Sequence, residues 1–367
     1  MDKLRNYLPF PNGIPSVSTM SRVLAGIDEE LISLSLINWI GEISNTRGIH
    51  IAIDGKGLRA AAHKVRDEKT PYILNAIDAV SGLVIGEYII QEKTNEMTAI
   101  PLLVKQLEME GSTITIDAIG ATGNIMNAIR DSEGEFVLQV KKNCPALYEE
   151  IMELFDGLSE EQKNSEKAFW DKYGNHYSEI KVPEKNRERY EYRKCQSYSD
   201  PDTIKGLQEE RPHIAGVGRI CQVRIMQIQD EFGNDITPSL KDFLKNGSRK
   251  QKKPTAGDEL GNDIQWAGLV SSRPLKAEEL LNYKRRHWAV ENRLHYVLDE
   301  TFGEDKSTIK KGKNTMSTLR KCSYNIIRLL QMKEPDRRKY VPDVIDDIRD
   351  DLDIGLKMLF SPIPSFY

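Results

Sequence analysis

The chain has 367 residues with a formal net charge of −4, and 39% of its residues are hydrophobic. This length suits one large domain with an insertion, or two domains, and the hydrophobic content supports a sizeable core. We find no apolar run long enough to span a membrane and no signal peptide at the start, so we expect a soluble, cytoplasmic protein. The four cysteines lack CxxC or zinc spacing, which predicts reduced structural thiols: Cys144, Cys195, Cys221 and Cys322.

The net charge hides an uneven distribution of charge along the chain. Residues 245–330 hold 18 Lys and Arg against 10 Asp and Glu, which gives +8 and leaves −12 for the remainder. This stretch includes a basic, Gly- and Ser-containing loop at 245–254. A basic region suits a polyanionic substrate, although taken alone a solvated lysine-rich face is the better interpretation.

The chain opens with a small helical module that we place at residues 1–45. A proline-rich entry precedes Ser16, one of several serines that offer an N-cap for helices over 20–43. Four apolar residues have the spacing of one buried helix face: Leu31, Leu34, Ile37 and Ile40. We expect this module to be truncated at its start.

Residues 46–143 have the pattern of a mixed α/β unit. Strands are predicted at 49–54, 72–79, 83–91, 113–117 and 136–140, with helices at 95–109 and 125–132. The order β-β-β-α-β-α-β is that of a ribonuclease-H-like core, in which the first and fourth strands are neighbours. Asp54 and Asp117 would therefore lie side by side, although 63 residues separate them.

The pattern changes at residues 144–265, which we interpret as an inserted, mostly β subdomain, with a separate domain as the alternative. Residues 266–335 would complete the core, and 336–367 would form a peripheral tail. A long helix is predicted over 276–299, with five residues able to face the core: Leu280, Tyr283, Trp288, Leu294 and Val297. Another face of this helix repeats every third or fourth residue: Lys284, His287, Glu291 and His295.

Three acidic residues form the candidate catalytic site. Asp54 and Asp117 end apolar strands, and a carboxylate buried there is costly unless a cation pairs with it. With Glu291 from the later helix, they would bind two Mg²⁺ or Mn²⁺ ions for phosphodiester chemistry, since hard cations prefer oxygen ligands. Nearby cations are candidate contacts to DNA phosphates: Lys56, Arg59, Lys141, Lys142, Arg286 and Arg293. The supporting residues are His287, Asn292 and Tyr283.

Each of these residues also has a plain structural interpretation. A single aspartate after a strand is most often a turn residue or helix cap, and it is the order of the three acids that favours a metal site. His287 and His295 are better explained as satisfied histidines than as ligands, and Trp288 as core packing. The Gly55–Gly57 spacing lacks the third glycine of a nucleotide-binding loop, so no nucleotide cofactor is expected.

Longer motifs resemble the H-repeat-like (ISAs-type) insertion-sequence DDE transposases. They are PNGIPS at 11–16, IAIDGKGLR at 51–59, ILNAIDA at 73–79, EKTNEMTAIP at 92–101, TIDAIG at 115–120, VLQVKKN at 137–143 and HWAVENRLH at 287–295. Tyr283, Arg286 and Glu291 resemble the Tyr-Arg-Glu-Lys signature of related enzymes, but Leu298 and Asp299 stand where its lysine is expected.

This resemblance implies a ribonuclease-H-like transposase that cuts at the ends of its own element and joins them to target DNA. Asp54, Asp117 and Glu291 would be its catalytic acids. Double-stranded DNA would be its partner and a homodimer its working form, in a bacterial cytoplasm close to the nucleoid. Two alternatives remain at this point: a ribonuclease-H-like nuclease without strand joining, and an inactive or domesticated copy that binds DNA without cleaving it.

Overall fold

The computed structural model describes residues 2–58, 72–90, 95–186, 188–208, 211, 213–230, 232, 234–242, 263–309, 311–333 and 340–360. Arg59 and the basic loop at 245–254 lie outside these ranges. The chain forms two compact units, the first made of Met1–Glu135 and Arg285–Tyr367 and the second of Phe136–Lys284. Within the described residues, no helix has the length and apolar character needed to cross a bilayer.

The first unit contains a mixed sheet of four strands in the order β3-β2-β1-β4. These strands are β1 (His50–Gly57), β2 (Tyr72–Asp78), β3 (Val84–Ile90) and β4 (Thr113–Ile116). β1 is antiparallel to β2 and parallel to β4, with Ile53 opposite Ile116. The predicted ribonuclease-H-like arrangement, with the first and fourth strands adjacent, is confirmed.

Helices flank this sheet within the first unit. They are Asp2–Arg5, Val17–Gly26, Glu29–Ile43, Glu96–Gln106, Gly123–Asp131, Lys313–Lys333, Val341–Asp350 and Leu352–Phe360. Short 3₁₀ turns occur at Ala118–Gly120 and Glu304–Lys306. Ser16 caps the second helix as predicted, because its hydroxyl accepts a hydrogen bond from the Thr19 N–H at 3.2 Å.

The buried face of the Glu29–Ile43 helix differs from the predicted one. Leu31 is 64% exposed, whereas Leu36, Ile37 and Ile40 are buried. The helix begins at Glu29 and turns Ser33 toward the buried side, and Leu31 then lies roughly half a turn away on the solvent side. Of the four positions predicted to be buried, only Ile37 and Ile40 are buried.

The second unit contains an antiparallel sheet in the order β5-β9-β8-β7-β6. Its strands are β5 (Glu135–Val140), β6 (Tyr177–Asn186), β7 (Arg189–Tyr198), β8 (Gly216–Met226) and β9 (Asp263–Ser271). Its helices are Pro145–Asn164, Glu166–Tyr173 and Pro201–Leu207. The sequence analysis missed the first of these helices, although Leu147, Ile151 and Phe155 repeat every fourth residue and are buried.

The predicted helix over 276–299 is divided into parts. An α-helix, Ala277–His287, is followed by two π-helical stretches, Val290–His295 and Val297–Thr301, which we call the Glu291 segment. The change of geometry shows at Trp288, whose N–H donates to the Arg285 carbonyl three residues back at 3.3 Å. Because the helical repeat is interrupted there, the predicted core position of Trp288 is wrong, and its side chain is 49% exposed.

A buried ion pair joins three elements of the first unit. Lys321 donates to Glu87 on β3, and both side chains are at most 1% exposed. Ser33 Oγ donates to the same carboxylate at 2.9 Å, and the Thr318 hydroxyl also donates to it. The carboxylate is therefore satisfied by charge and by hydrogen bonds, which is the condition for burying it.

Lys321→Met should lower the free energy of unfolding by about 3–5 kcal/mol, because it leaves the Glu87 carboxylate buried without a cation. The double variant Glu87→Gln/Lys321→Met should recover much of this loss. Arg47→Met, which removes an exposed partner of Glu110 (3.1 Å apart), is the matched control and should cost at most about 1 kcal/mol. Urea unfolding measures all three, and equal losses for Lys321→Met and Arg47→Met would contradict the prediction.

A second polar network ties β1 and β4 to the chain just before the Glu291 segment. Thr115 Oγ1 on β4 lies 2.9 Å from His50 Nε2 on β1 and 3.0 Å from His287 Nδ1. All three side chains are buried. Burial lowers the pKa of His50 to about 3, with a smaller contribution from the positive charges of His287 and Arg286. The network therefore requires a neutral His50.

The stability of the protein should fall as the pH falls from 6.5 toward 3, because only the unfolded chain then binds a proton at His50. Between pH 7 and pH 5 this residue should cost about 2 kcal/mol of unfolding free energy. His50→Gln keeps a hydrogen-bonding group without a titrating one. Urea unfolding at both pH values should show a smaller pH effect in the variant, and an identical effect in both proteins would argue against this origin.

Candidate active site

Asp54 and Asp117 are positioned by the parallel pairing of β1 with β4. Ile53 and Ile116 are opposite each other in the register, and each aspartate is the next residue along its strand direction. Asp117 directly follows β4, and its carbonyl accepts a hydrogen bond from the Gly120 N–H at 2.8 Å, which closes a tight turn. Asp54 lies within β1, which continues to Gly57 and does not end at the aspartate as predicted, so the two acids lie next to each other where the β1–β4 pairing ends.

Glu291 approaches these aspartates from the Glu291 segment. Glu291 Oε2 lies 2.7 Å from His295 Nδ1, and the same ring nitrogen lies 3.7 Å from Asp54 Oδ2. The other ring nitrogen, Nε2, lies 3.2 Å from the side-chain nitrogen of the buried Asn75 on β2. His295 is thus held between two acidic side chains and the sheet.

The electrostatics of Asp54 show that these charges are close together. Burial raises the pKa of Asp54, and the negative charges of Glu291 and Asp117 raise it further, against the opposing effect of His295. A hydrogen bond from the Gly55 N–H also favours the ionised carboxylate. A partly buried group of like charges is unfavourable by itself and is relieved by a bound cation.

Tyr72 and Glu96 also belong to this surface, and the sequence analysis did not single them out. A methyl group placed on Gly55 would lie 2.2 Å from the Tyr72 ring, so only glycine leaves room for the tyrosine beside Asp54. Tyr72 is hydrogen bonded to Glu96, the first residue of the Glu96–Gln106 helix. Burial raises the pKa of Glu96, and Asp54 and Asp117 add to this effect. The EKTNEMTAIP motif at 92–101, one of those that carry the family resemblance, contains Glu96 and was the signal that could have identified it.

The predicted supporting residues and cations are dispersed. His287 is buried against Thr115, and Asn292 is exposed. The Tyr283 hydroxyl accepts a hydrogen bond from Arg273 at 3.2 Å within the second unit.

The predicted phosphate-binding cations also differ in their surroundings. Arg286 is exposed, and Arg293 donates to the Val80 carbonyl at 2.6 Å. Lys141 and Lys142 are exposed after β5 in the second unit. Lys56 is buried against acidic side chains, and Arg59 lies outside the described residues.

The residues at this site fit a divalent cation. Asp54, Glu291 and His295 each offer one ligand atom, and these three atoms lie within 4.8 Å of one another. One carboxylate oxygen of Asp117 is buried at the adjacent strand end. Carboxylate oxygens suit Mg²⁺ or Mn²⁺, whereas an imidazole nitrogen favours transition-metal ions over Mg²⁺. The structure places His295 in contact with both Asp54 and Glu291, whereas its sequence context favours a satisfied histidine.

Comparison with known proteins agrees with this geometry. The family model described as "Transposase DDE domain" matches residues 45–326. "Putative protein YbfL" of Escherichia coli K12 is 30% identical over 334 residues, which cover 89% of this chain and 77% of that protein. "H repeat-associated putative transposase YhhI" of the same strain is 29% identical with the same coverage. "Putative transposase YncI" of Escherichia coli O157:H7 is 29% identical over 341 residues, with coverage of 89% and 74%.

A more distant likeness is to a solved piggyBac transposase synaptic complex with hairpin DNA. It has a TM-score of 0.32 and 11% identity and covers 84% of this chain and 58% of that one, a likeness too weak to support a conclusion. The family match and the full-length relatives favour a transposase over the two alternatives. This chain belongs to the family of transposases with a DDE domain.

Proposed function

We propose that the protein is the transposase of an insertion sequence, which cleaves DNA at the ends of its element and joins those ends to target DNA. The observation that carries this proposal is that the β1–β4 register places Asp54 beside Asp117 while His295 contacts both Asp54 and Glu291, in a chain of this family. A ribonuclease-H-like nuclease would cleave DNA with the same acids but would not join the ends. Cleavage and joining are therefore measured separately.

Asp54, Asp117 and Glu291 are the catalytic acids in this proposal, and they hold two Mg²⁺ or Mn²⁺ ions. When bound, such ions activate the attacking oxygen and neutralise the leaving oxygen of a phosphodiester. His295 orients the Glu291 carboxylate through the 2.7 Å contact. Tyr72 holds Glu96 beside Asp54, which adds a fourth carboxylate to the same surface.

Exposed cations would bind the phosphates of double-stranded DNA. Arg286 is exposed on the helix that precedes the Glu291 segment, and Lys141 and Lys142 are exposed in the second unit. Such contacts fix the register of the duplex and carry no base sequence. We also propose a homodimer acting on paired ends in the bacterial cytoplasm, near the nucleoid.

Glu291→Gln should abolish both steps, because it keeps the shape of the side chain and removes its charge. Cleavage and joining of a labelled DNA with the element's own ends, in Mg²⁺, should each fall by at least about 100-fold. Glu300→Gln is the matched control, since it removes the same charge from an exposed position of the same segment and should leave both rates unchanged.

Three outcomes of this assay separate the possible functions. Cutting and joining by wild type, lost in Glu291→Gln, supports the transposase. Cutting without joining by wild type would favour a nuclease. Binding of the ends without cleavage, by both proteins, would show a copy that retains the fold and has lost the chemistry.

A further inference from the structure

Lys56 occupies an unusual position for a lysine beside an active site. It lies two residues after Asp54 on β1, and alternate residues of a strand point to the same face. Its side chain is only 10% exposed, and its ammonium group contacts two carboxylates, Asp299 Oδ1 and Glu304 Oε2, the latter at 2.7 Å. These partners follow Lys56 by more than 240 residues in the sequence.

The two partners belong to the chain that carries Glu291. Asp299 lies in the second π-helical stretch, Val297–Thr301, and Glu304 starts the 3₁₀ turn just after it. Glu304 is 2% exposed, and Arg320 Nη1 lies 3.8 Å from its other oxygen. Although burial opposes it, the ammonium groups of Lys321 and Lys56 lower the pKa of Glu304 and keep its carboxylate charged.

The Glu291 segment needs such an anchor because of its backbone geometry. The Tyr296 N–H donates to the Glu291 carbonyl, and the Phe302 N–H to the Val297 carbonyl, each five residues back. π-Helical stretches of this kind are rare and depend on their surroundings, and they occur frequently at functional sites. On the N-terminal side the segment is held by the buried pair His287–Thr115, and on the C-terminal side by Lys56.

We propose that Lys56 is a positioning residue, which with Asp299 and Glu304 fixes the Glu291 segment against β1 and so sets the separation of Glu291 from Asp54. This inference rests on the proposed function, since it concerns the same metal-binding acids. In this role Lys56 stays paired with Asp299 and Glu304 and does not bind a DNA phosphate, although its position beside Asp54 in the sequence suggests a phosphate contact.

A phosphate contact would require Lys56 to leave its two partners. Among the described residues, Glu304 would then keep Arg320 at 3.8 Å and the charge of Lys321 but lose its ammonium partner at 2.7 Å, which is unfavourable for a buried carboxylate. Lys142 is exposed, and the structure describes no buried carboxylate paired with it. It can therefore reach a phosphate without leaving a buried charge unpaired. The two lysines therefore differ in a way that an experiment can detect.

The test compares Lys56→Met with Lys142→Met in the full-length protein. Mn²⁺ binding by calorimetry, DNA binding at several salt concentrations, and thermal unfolding are measured for each. For Lys56→Met we expect Mn²⁺ affinity to fall about 10- to 100-fold, as for residues that orient metal ligands, with DNA affinity and its salt dependence unchanged. For Lys142→Met we expect unchanged Mn²⁺ affinity and a salt slope reduced by about one.

Lys56→Arg supplies the rescue, since a guanidinium can pair with both carboxylates and should restore most of the Mn²⁺ affinity. If Lys56→Met does not fold, Asp299→Asn keeps the Lys56–Glu304 contact and should lower Mn²⁺ affinity in the same direction. A reduced salt slope in Lys56→Met, or unchanged Mn²⁺ affinity in the folded variants, would overturn the proposal. Because none of these readouts requires cleavage, they decide the role of Lys56 even if wild type proves unable to cut DNA.

Discussion

The parallel pairing of β1 with β4 is the constraint on which the rest of the site depends. Parallel neighbours bring their carboxyl ends to one edge of the sheet, and here an aspartate follows the last paired residue of each strand: Asp117 directly follows β4, and Asp54 lies within β1 just past Ile53. The buried Thr115 on β4 contacts both His50 and His287, so the same pairing also anchors the chain that leads to Glu291. One structural relation therefore fixes two acids directly and the third through a side-chain network.

Bringing these acids together has an electrostatic cost that the described neighbours offset only in part. Burial and the neighbouring charges raise the pKa of Asp54, and only His295 and a backbone N–H oppose them. By contrast, the carboxylates of Glu87 and Glu304 in the same unit have lysine partners. The first unit thus contains satisfied acids, which stabilise the packing of helices on the sheet, and a group of acids, Asp54, Asp117 and Glu291, whose charge we propose a cation relieves. This difference distinguishes the candidate site from the other buried charges.

The sequence predicted the parts of this arrangement that follow from element order and local spacing. The adjacency of Asp54 and Asp117 followed from the β-β-β-α-β order, and the contact between Glu291 and His295 lies within a four-residue repeat. The pairing of Lys56 with Glu304 was not predictable, because a contact across 248 residues leaves no periodic pattern. Trp288 was misplaced for a related reason, since the helical repeat is interrupted at that residue by a hydrogen bond to Arg285.

Whether a cation near an active site binds DNA depends on what else it can reach, and proximity in sequence does not decide this. Lys56 and Arg286 both lie within a few residues of a proposed catalytic acid, yet the ammonium group of Lys56 contacts the carboxylates of Asp299 and Glu304 and Arg286 is exposed. The difference is favourable for the proposed site, which would bind both a metal ion and a polyanion. A lysine that moved toward phosphate would leave the buried Glu304 carboxylate without its ammonium partner at 2.7 Å, whereas the paired lysine neutralises it. The Lys56–Glu304 pair therefore keeps this charge satisfied inside the protein, so that in the proposed site a divalent ion would meet Asp54, Asp117 and Glu291.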